Sequence, residues 1–512
     1  MNLEKNSCKF SEVVCELTNE KVVECDFIVP DYYPDILKVM HTEAIPRIKS
    51  KSKKDDKYLV EGYVDFKIFY TSQELDKLIC VSTMCDFLSS FDLKQMRDDS
   101  LIKVKIDTSE ALSKAISERK LSSKVTLDVA LKCWNENSTE IVTATNNDKL
   151  EQKLETISVY NIISSKTKAV AISEDIETSA TTAQIQSILK SDAKIIVNDI
   201  KPLSNKVVVH GIATVKNVYV GIDDEIEEIE SKIPFSQIIE MDEIDEDAKI
   251  DVSFDVSEIQ CSLKQTQEGE NRLIAVDLEI MTNVTCFNNI ETIVLEDAFS
   301  LNSNADFDTK KIKYDKLIDI SKDSYMDKVA IEIEYDIKKI IYANNSVKII
   351  NFTRENENVI ANCELYVCIL FLNIEDEIIP FKKTIPFKVQ ISCDNTEDNL
   401  KFEATADLVN WSYNITSDNS VDIRFEAEIK CIIIARKSQN AIVNITIDED
   451  LEKAASTVAP VTIYYAKKGE KIWDISKKYN TVGEEIKTIN EIELDFLESD
   501  MMLIIPKIKY VK

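Results

Sequence analysis

Glycine is scarce: there are six in 512 residues, at Gly62, Gly211, Gly221, Gly269, Gly469 and Gly483. No GxGxxG, GxxxxGK or GxSxG string can be written, which excludes the phosphate-cradling and nucleophile-elbow loops that need glycine at fixed spacing. Histidine occurs only as His41 and His210, and the twelve cysteines contain no CxxC; the nearest pairs, Cys80 with Cys85 and Cys363 with Cys368, are too widely spaced for a zinc ribbon. No metal site and no cofactor is expected. The longest apolar run is the eight residues Leu365 to Leu372, against about 20 for a membrane span. The opening Met1-Asn2-Leu3-Glu4-Lys5-Asn6 has no apolar signal core, so the cysteines are expected as reduced thiols packed in the interior. Positive charge is also in deficit. Lys plus Arg number 62 against 92 Asp plus Glu, a net charge of -30, which repels a phosphate backbone and argues against nucleic acid as a partner. Residues 461–512 hold nine Lys and nine acidic residues, so the whole imbalance lies in 1–460.

What is present is repetition. The alternating stretch Val60-Glu61-Gly62-Tyr63-Val64-Asp65-Phe66-Lys67-Ile68-Phe69-Tyr70 returns at Val209 to Tyr219, 149 residues on, and in diverged form at Ala361 to Phe371, another 152 residues along. Its period of two puts Val60, Val64, Phe66, Ile68 and Tyr70 on one face, the pattern of a half-buried antiparallel strand. Ile233-Pro234-Phe235 follows Gly211 by 22 residues, and Ile385-Pro386-Phe387 follows Cys363 by the same 22. Cys133-Trp134, Cys286-Phe287 and Cys431-Ile432 mark a further recurring strand, and Ile36-Leu37-Lys38 matches Ile188-Leu189-Lys190, which sets His41 against Ala193. Runs rich in Val, Ile, Phe, Tyr and Thr separated by polar turns predict a mainly β chain of three sandwich- or barrel-like repeats. The expected division is an N-terminal segment 1–20, repeats at 21–150, 151–297 and 298–447, a linker at 448–460, and a C-terminal module at 461–509.

From Val461 the pattern changes. A strand at Val461 to Ala466, a turn at Lys468-Gly469-Glu470, helical spacing of Ile472, Ile475 and Tyr479, a second helix through Ile486 and Ile489, and a closing strand Met502 to Pro506 give the order βααβ. With Tyr464, Ile472-Trp473-Asp474-Ile475, Asn490 and Leu503-Ile504-Ile505-Pro506 in place, this module resembles a LysM domain. Glycan-binding members usually carry a Pro-Gly-Gln-like turn before the last strand, where this chain has Glu498-Ser499-Asp500-Met501. Three β repeats ahead of a LysM, with Pro30-Asp31-Tyr32-Tyr33-Pro34-Asp35 in the first, resemble the SPOCS-domain proteins of endospore-forming bacteria.

That resemblance implies a non-enzymatic morphogenetic scaffold in the mother-cell cytoplasm, recruited to the forespore surface. There it would hold a SpoIVA-type coat ATPase through its LysM and recruit other coat proteins through its repeats. The alternative, implied by the LysM alone, is a peptidoglycan-binding wall protein. LysM ligands generally use the turn after the first strand and the turn before the last, here Lys468, Gly469, Glu470 and Lys471 with Ser499, Asp500 and Met501. Trp473 is either a partner contact or core of the first helix, and Ile463 either an edge-strand core residue or a docking contact. Tyr32 and Tyr33, stiffened by Pro30 and Pro34, form a cap on the first repeat or a docking element. Neither histidine is given a catalytic role: His210 sits on the polar face of the repeated strand, where the other copies have Glu61 and Asn362, and reads as a solvated surface residue, while no repeated Ser, Cys or Asp accompanies His41 as a triad requires.

Overall fold

The computed structural model describes residues 3–72, 77–147, 149–301, 303–355, 358–393, 397, 399–452 and 461–506. The first repeat comprises β1 (Leu3–Ile28), β2 (Ile36–Lys54), β3 (Lys57–Ser72), β4 (Leu78–Asp92), β5 (Leu101–Thr108), β6 (Leu112–Ser117) and β7 (Lys120–Thr145). The second comprises β8 (Leu150–Glu177), β9 (Ile185–Leu203), β10 (Lys206–Gly221), β11 (Ile226–Glu240), β12 (Lys249–Lys264) and β13 (Leu273–Ser300). The third comprises β14 (Ser303–Glu332), β15 (Ile337–Glu355), β16 (Asn358–Asn373), β17 (Ile378–Ile391), β18 (Leu400–Ser417) and β19 (Ser420–Glu452). Each repeat is a two-sheet antiparallel sandwich and none is a closed barrel: strands two to four form a meander (β2-β3-β4), while the first and last strands pair and the last also takes the fifth (β1-β7-β5). The inward faces of β3 and β7 share one core through Val64, Phe66, Ile68, Val125, Leu127 and Val129.

Residues 3–20, expected to stand apart, are the first two-thirds of β1 and pair with β7 from Thr145 to Ala130 and beyond. β19 likewise runs to Glu452, into the expected linker, whose remaining residues 453–460 lie outside the described ones. The thiols are not all reduced: Cys25 of β1 and Cys85 of β4 are disulfide-bonded across the two sheets of the first repeat. The corresponding positions in the third repeat are apolar, Val329 and buried Ile385, both part of that sandwich's core. Pro30 to Asp35 closes the end of the first sandwich. Arg119 donates to Tyr33 O (2.6 Å), Asp35 (3.0 Å) and Asp31 (3.0 Å), and the Tyr70 hydroxyl donates to Pro34 O (3.0 Å).

Hairpin register explains the repeated sequence. Gly62 faces Phe87, Gly211 faces Phe235 and Cys363 faces Phe387. A Cβ on Gly62 would stand 2.2 Å from Arg47 O and 2.7 Å from the Phe87 ring, so the ring lies on the bare backbone. Register also corrects two of the alignments. Ile36 pairs with Ser72 and Ile185 with Gly221, so Ile185, not Ile188, is the counterpart of Ile36, and His41 corresponds to Lys190 and Tyr342. In each repeat the first strand bulges, at Val14, Ile163 and Ile318, opposite the step from Cys133 to Trp134, Cys286 to Phe287 and Ile433 to Ile434, so Ile433 is the counterpart of Cys133 and Cys286, two residues beyond Cys431.

The three sandwiches close into a ring. β4 packs on β9, β11 on β15, and β17 on β2, each repeat using the same edge against the same strand of the next. Corresponding residues therefore meet around a pseudo-threefold axis in stacked layers: Phe69, Val218 and Leu370; Trp134, Phe287 and Ile434; Ile141, Val294 and Ala441; Val142, Leu295 and Ile442. This is why β3 is buried on both faces from Asp65 to Phe69, one face in its own core and the other toward the ring. Two layers are polar. In one, Lys190 pairs with Glu43 and donates to the Tyr342 hydroxyl (2.9 Å), which donates to Glu43; His41 Nε2 lies 3.5 Å from the same carboxylate. In the other, the equivalent residues Lys103, Asp251 and Glu403 line a cavity of about 40 Å³, room for a water or two. Asp251 there receives Lys103 (3.1 Å) and Lys430 (2.7 Å), and Glu403 receives Lys132.

Candidate functional site at the C-terminal module

The C-terminal module consists of β20 (Val461–Ala466), α1 (Ile472–Tyr479), α2 (Gly483–Asn490) and β21 (Met501–Pro506), with β20 and β21 antiparallel. Its small core gathers Ala466, Ile472, Ile475, Ile486, Leu497, Leu503 and Ile505, and Tyr464 meets Tyr479 edge-on at 5.5 Å. Asn490 ties the second helix to the closing strand. Its Nδ2 donates to Ile486 O and Ile504 O (2.8 Å each), and its Oδ1 accepts from the Ile504 N–H (2.7 Å).

The two turns singled out in the sequence lie side by side. Gly469 N–H donates to Leu497 O (2.8 Å), Leu497 N–H to Glu470 O (3.0 Å), and Lys468 N–H to the Asp500 carboxylate (2.7 Å). Gly469 is glycine for its backbone: φ is +88°, in the left-handed region, and no neighbouring atom comes within 4 Å of an added Cβ. Lys468, Lys471, Ser499 and Asp500 are exposed, Met501 is half-buried, and Glu470 is half-buried with one carboxylate oxygen lacking a hydrogen-bond partner. Ile463 is not a core residue. It is 57% exposed on the outward face of β20, opposite Ile504, in an apolar strip with Val461, Tyr465 and Met502.

Trp473 belongs to neither group. It is half-buried outside the module's own core, its Nε1 donating to Asp297 Oδ2 (2.9 Å) and its ring edge-on to Phe299 at 5.1 Å, both on β13 of the second repeat. Sequence reasoning missed Asp297 and Phe299; the one available signal was that an acid and an aromatic stand there while the other repeats carry Ala144 and Asn146, or Asn444 and Thr446.

Comparison with known families matches residues 35–113 and 184–264 to the SPOCS domain of SipL, and residues 464–506 to the LysM domain. The chain carries two SipL-type SPOCS domains and a C-terminal LysM domain. Comparison with curated proteins and with solved structures returned no match. The SPOCS matches span β2 into β6 and β9 to β12, the meander plus the fifth strand of each sandwich. The long strands β7 and β13 that complete these sandwiches fall outside the matched residues. Both families are non-catalytic, and their combination supports an adaptor role connected with the spore coat or the cell wall. Among the described residues no helix is long and apolar enough to cross a membrane.

Proposed function

We propose that this chain is a non-enzymatic scaffold of spore coat assembly, in which the ring of SPOCS-type repeats carries a LysM that holds a SpoIVA-type coat ATPase at the forespore surface. The observation that carries the reading is the outward strip Val461, Ile463, Tyr465, Met502 and Ile504 on the LysM sheet. An exposed, contiguous apolar strip suits a protein surface. The adjoining turn, Glu498-Ser499-Asp500, is acidic and committed to capping Lys468 N–H.

The test is binding of the full chain to the purified coat ATPase and, in parallel, to purified peptidoglycan. Ile463→Glu, and Lys468→Glu with Lys471→Glu, are expected to weaken ATPase binding by at least about tenfold, the loss of about 1.4 kcal/mol from one central contact, with the far-ultraviolet spectrum unchanged. Binding to peptidoglycan alone, or equal ATPase binding by wild type and variants, refutes the reading.

A further inference from the structure

The LysM meets the ring through one face of α1. Lys477 Nζ lies 2.7 Å from both oxygens of the Asp297 carboxylate, which also accepts from Trp473 Nε1, while Phe299 meets the indole ring. Residues 473 and 477 are four apart and so share one helix face. A second group lies beside the first: the Glu151 carboxylate stands close enough to the Gly483 N–H, at the start of α2, to feel its pull. Burial pushes that carboxyl above its usual range, and the nearby charges of Glu484 and Glu485 add to the effect. Glu151 pairs with Phe299, and Lys153 with Asp297, so all these groups belong to one end of the β8–β13 ladder.

The arrangement is particular to the second repeat. The bulge that precedes Asp297 recurs in the other two, where it is followed by Ala144 and Asn444. Alanine has no acceptor, asparagine has no charge for an ammonium, and Asn146 or Thr446 in place of Phe299 offers no ring.

We infer that Asp297, Phe299 and Glu151 form an internal docking site for the Trp473–Lys477 face of the LysM, and that docking withholds this face from an outside partner. The outward strip around Ile463 stays open in the docked form. The masking rests on the LysM being the partner-holding module; the docking does not.

Two readouts on the full chain separate them, with Asp297→Ala and Phe299→Ala as variants. Lys477 is exposed but its ammonium is held by Asp297, so its acetylation by an N-hydroxysuccinimide ester, read by mass spectrometry against Lys471 in the same molecule, reports docking without any partner. Both variants are expected to speed Lys477 labelling by about tenfold and to tighten the apparent Kd for the coat ATPase by up to about tenfold, since the Trp473–Lys477 face, which would add to the open strip, is available only in the undocked fraction, taken as about one part in ten. Phe299→Ala leaves the carboxylate in place, so wild-type labelling in that variant overturns the docking. Faster labelling with an unchanged Kd overturns the masking. Absence of ATPase binding by every form refutes the proposed function while labelling still decides the docking.

Discussion

Replacing Lys190 by methionine tests the ring itself, because Lys190 of the second repeat, Glu43 of the first and Tyr342 of the third meet only when the ring is closed. Methionine keeps most of the stem volume and removes the ammonium, leaving Glu43 buried (8% exposed) with Tyr342 and His41. Removing one partner of a buried pair costs about 3–5 kcal/mol, most of it the penalty of the stranded charge. Burial alone would raise the Glu43 carboxyl, but the Lys190 ammonium, helped by His41, holds it well below its usual range, at about 2. A carboxyl depressed on folding contributes stability that is present above its unfolded value, about 4.3, and is lost as pH falls through the folded value. In Lys190→Met the balance reverses: burial dominates, the carboxyl rises, and the cost disappears once it is protonated. The deficit in urea unfolding, followed by circular dichroism, should therefore be largest near pH 7, shrink as pH falls toward about 4.3 while the variant's carboxyl takes up its proton, and shrink further below that as the wild type loses its own contribution. Adding Glu43→Gln to Lys190→Met should recover part of the loss at pH 7, since no buried charge is then stranded; Asp192, the other carboxylate on Lys190 (2.8 Å), has a side chain partly open to water. A single variant within about 0.5 kcal/mol of wild type at pH 7, the ordinary effect of a surface change, or a double variant no better than the single, would refute the argument.

Gly62→Ala forces a methyl into the Phe87 ring and the Arg47 carbonyl and should cost about 1–3 kcal/mol by overpacking, read as a lower denaturant midpoint; wild-type stability would mean the ring moves aside freely. Asn490→Ala removes two hydrogen bonds between α2 and β21 and a third within α2, and strands the Ile504 N–H, which should destabilise the LysM by about 1–3 kcal/mol. Faster amide exchange confined to residues 461–506 is the expected signature, and unchanged exchange there would count against it.

The β class, the three repeats and the order βααβ were legible because each rests on a local period: two along β3, β10 and β16, and helical spacing in α1 and α2. The ring was not legible, for a reason visible at His41. Aligning Ile36-Leu37-Lys38 with Ile188-Leu189-Lys190 is the better match of letters, yet it is three residues out of structural register. The correct alignment sets His41 against Lys190 and Tyr342, residues with nothing in common chemically. Side chains that meet on an axis need to complement one another rather than match, so the positions that build the ring are where similarity between repeats is lost. Cys133, Cys286 and Cys431 misled in the same way, because a bulge places Ile433 where the third cysteine was sought. At the LysM, the two turns were legible as adjacent positions of a known motif. The Asp297 contact was not, since it joins residues 176 apart across two domains.

The mixed layers say why the ring is made by one chain. Three identical subunits closing head to tail about a threefold axis would bring three copies of one side chain to every layer. That is tolerable where the layer is Ile141, Val294 and Ala441, and costly where it is Lys103, Asp251 and Glu403, since three lysines or three carboxylates at a shared cavity repel without compensation. Tandem repeats free each position to diverge, so Lys103 finds Asp251, Lys132 finds Glu403 and Lys190 finds Glu43. The apolar layers supply burial that any cyclic order of sandwiches would satisfy. The charged layers are satisfied only in the order the chain supplies, because exchanging the second and third repeats would set Lys190 away from Glu43. Their contribution is thus to fix the arrangement of the ring, and with it the single β13 edge, at Asp297 and Phe299, on which the LysM rests.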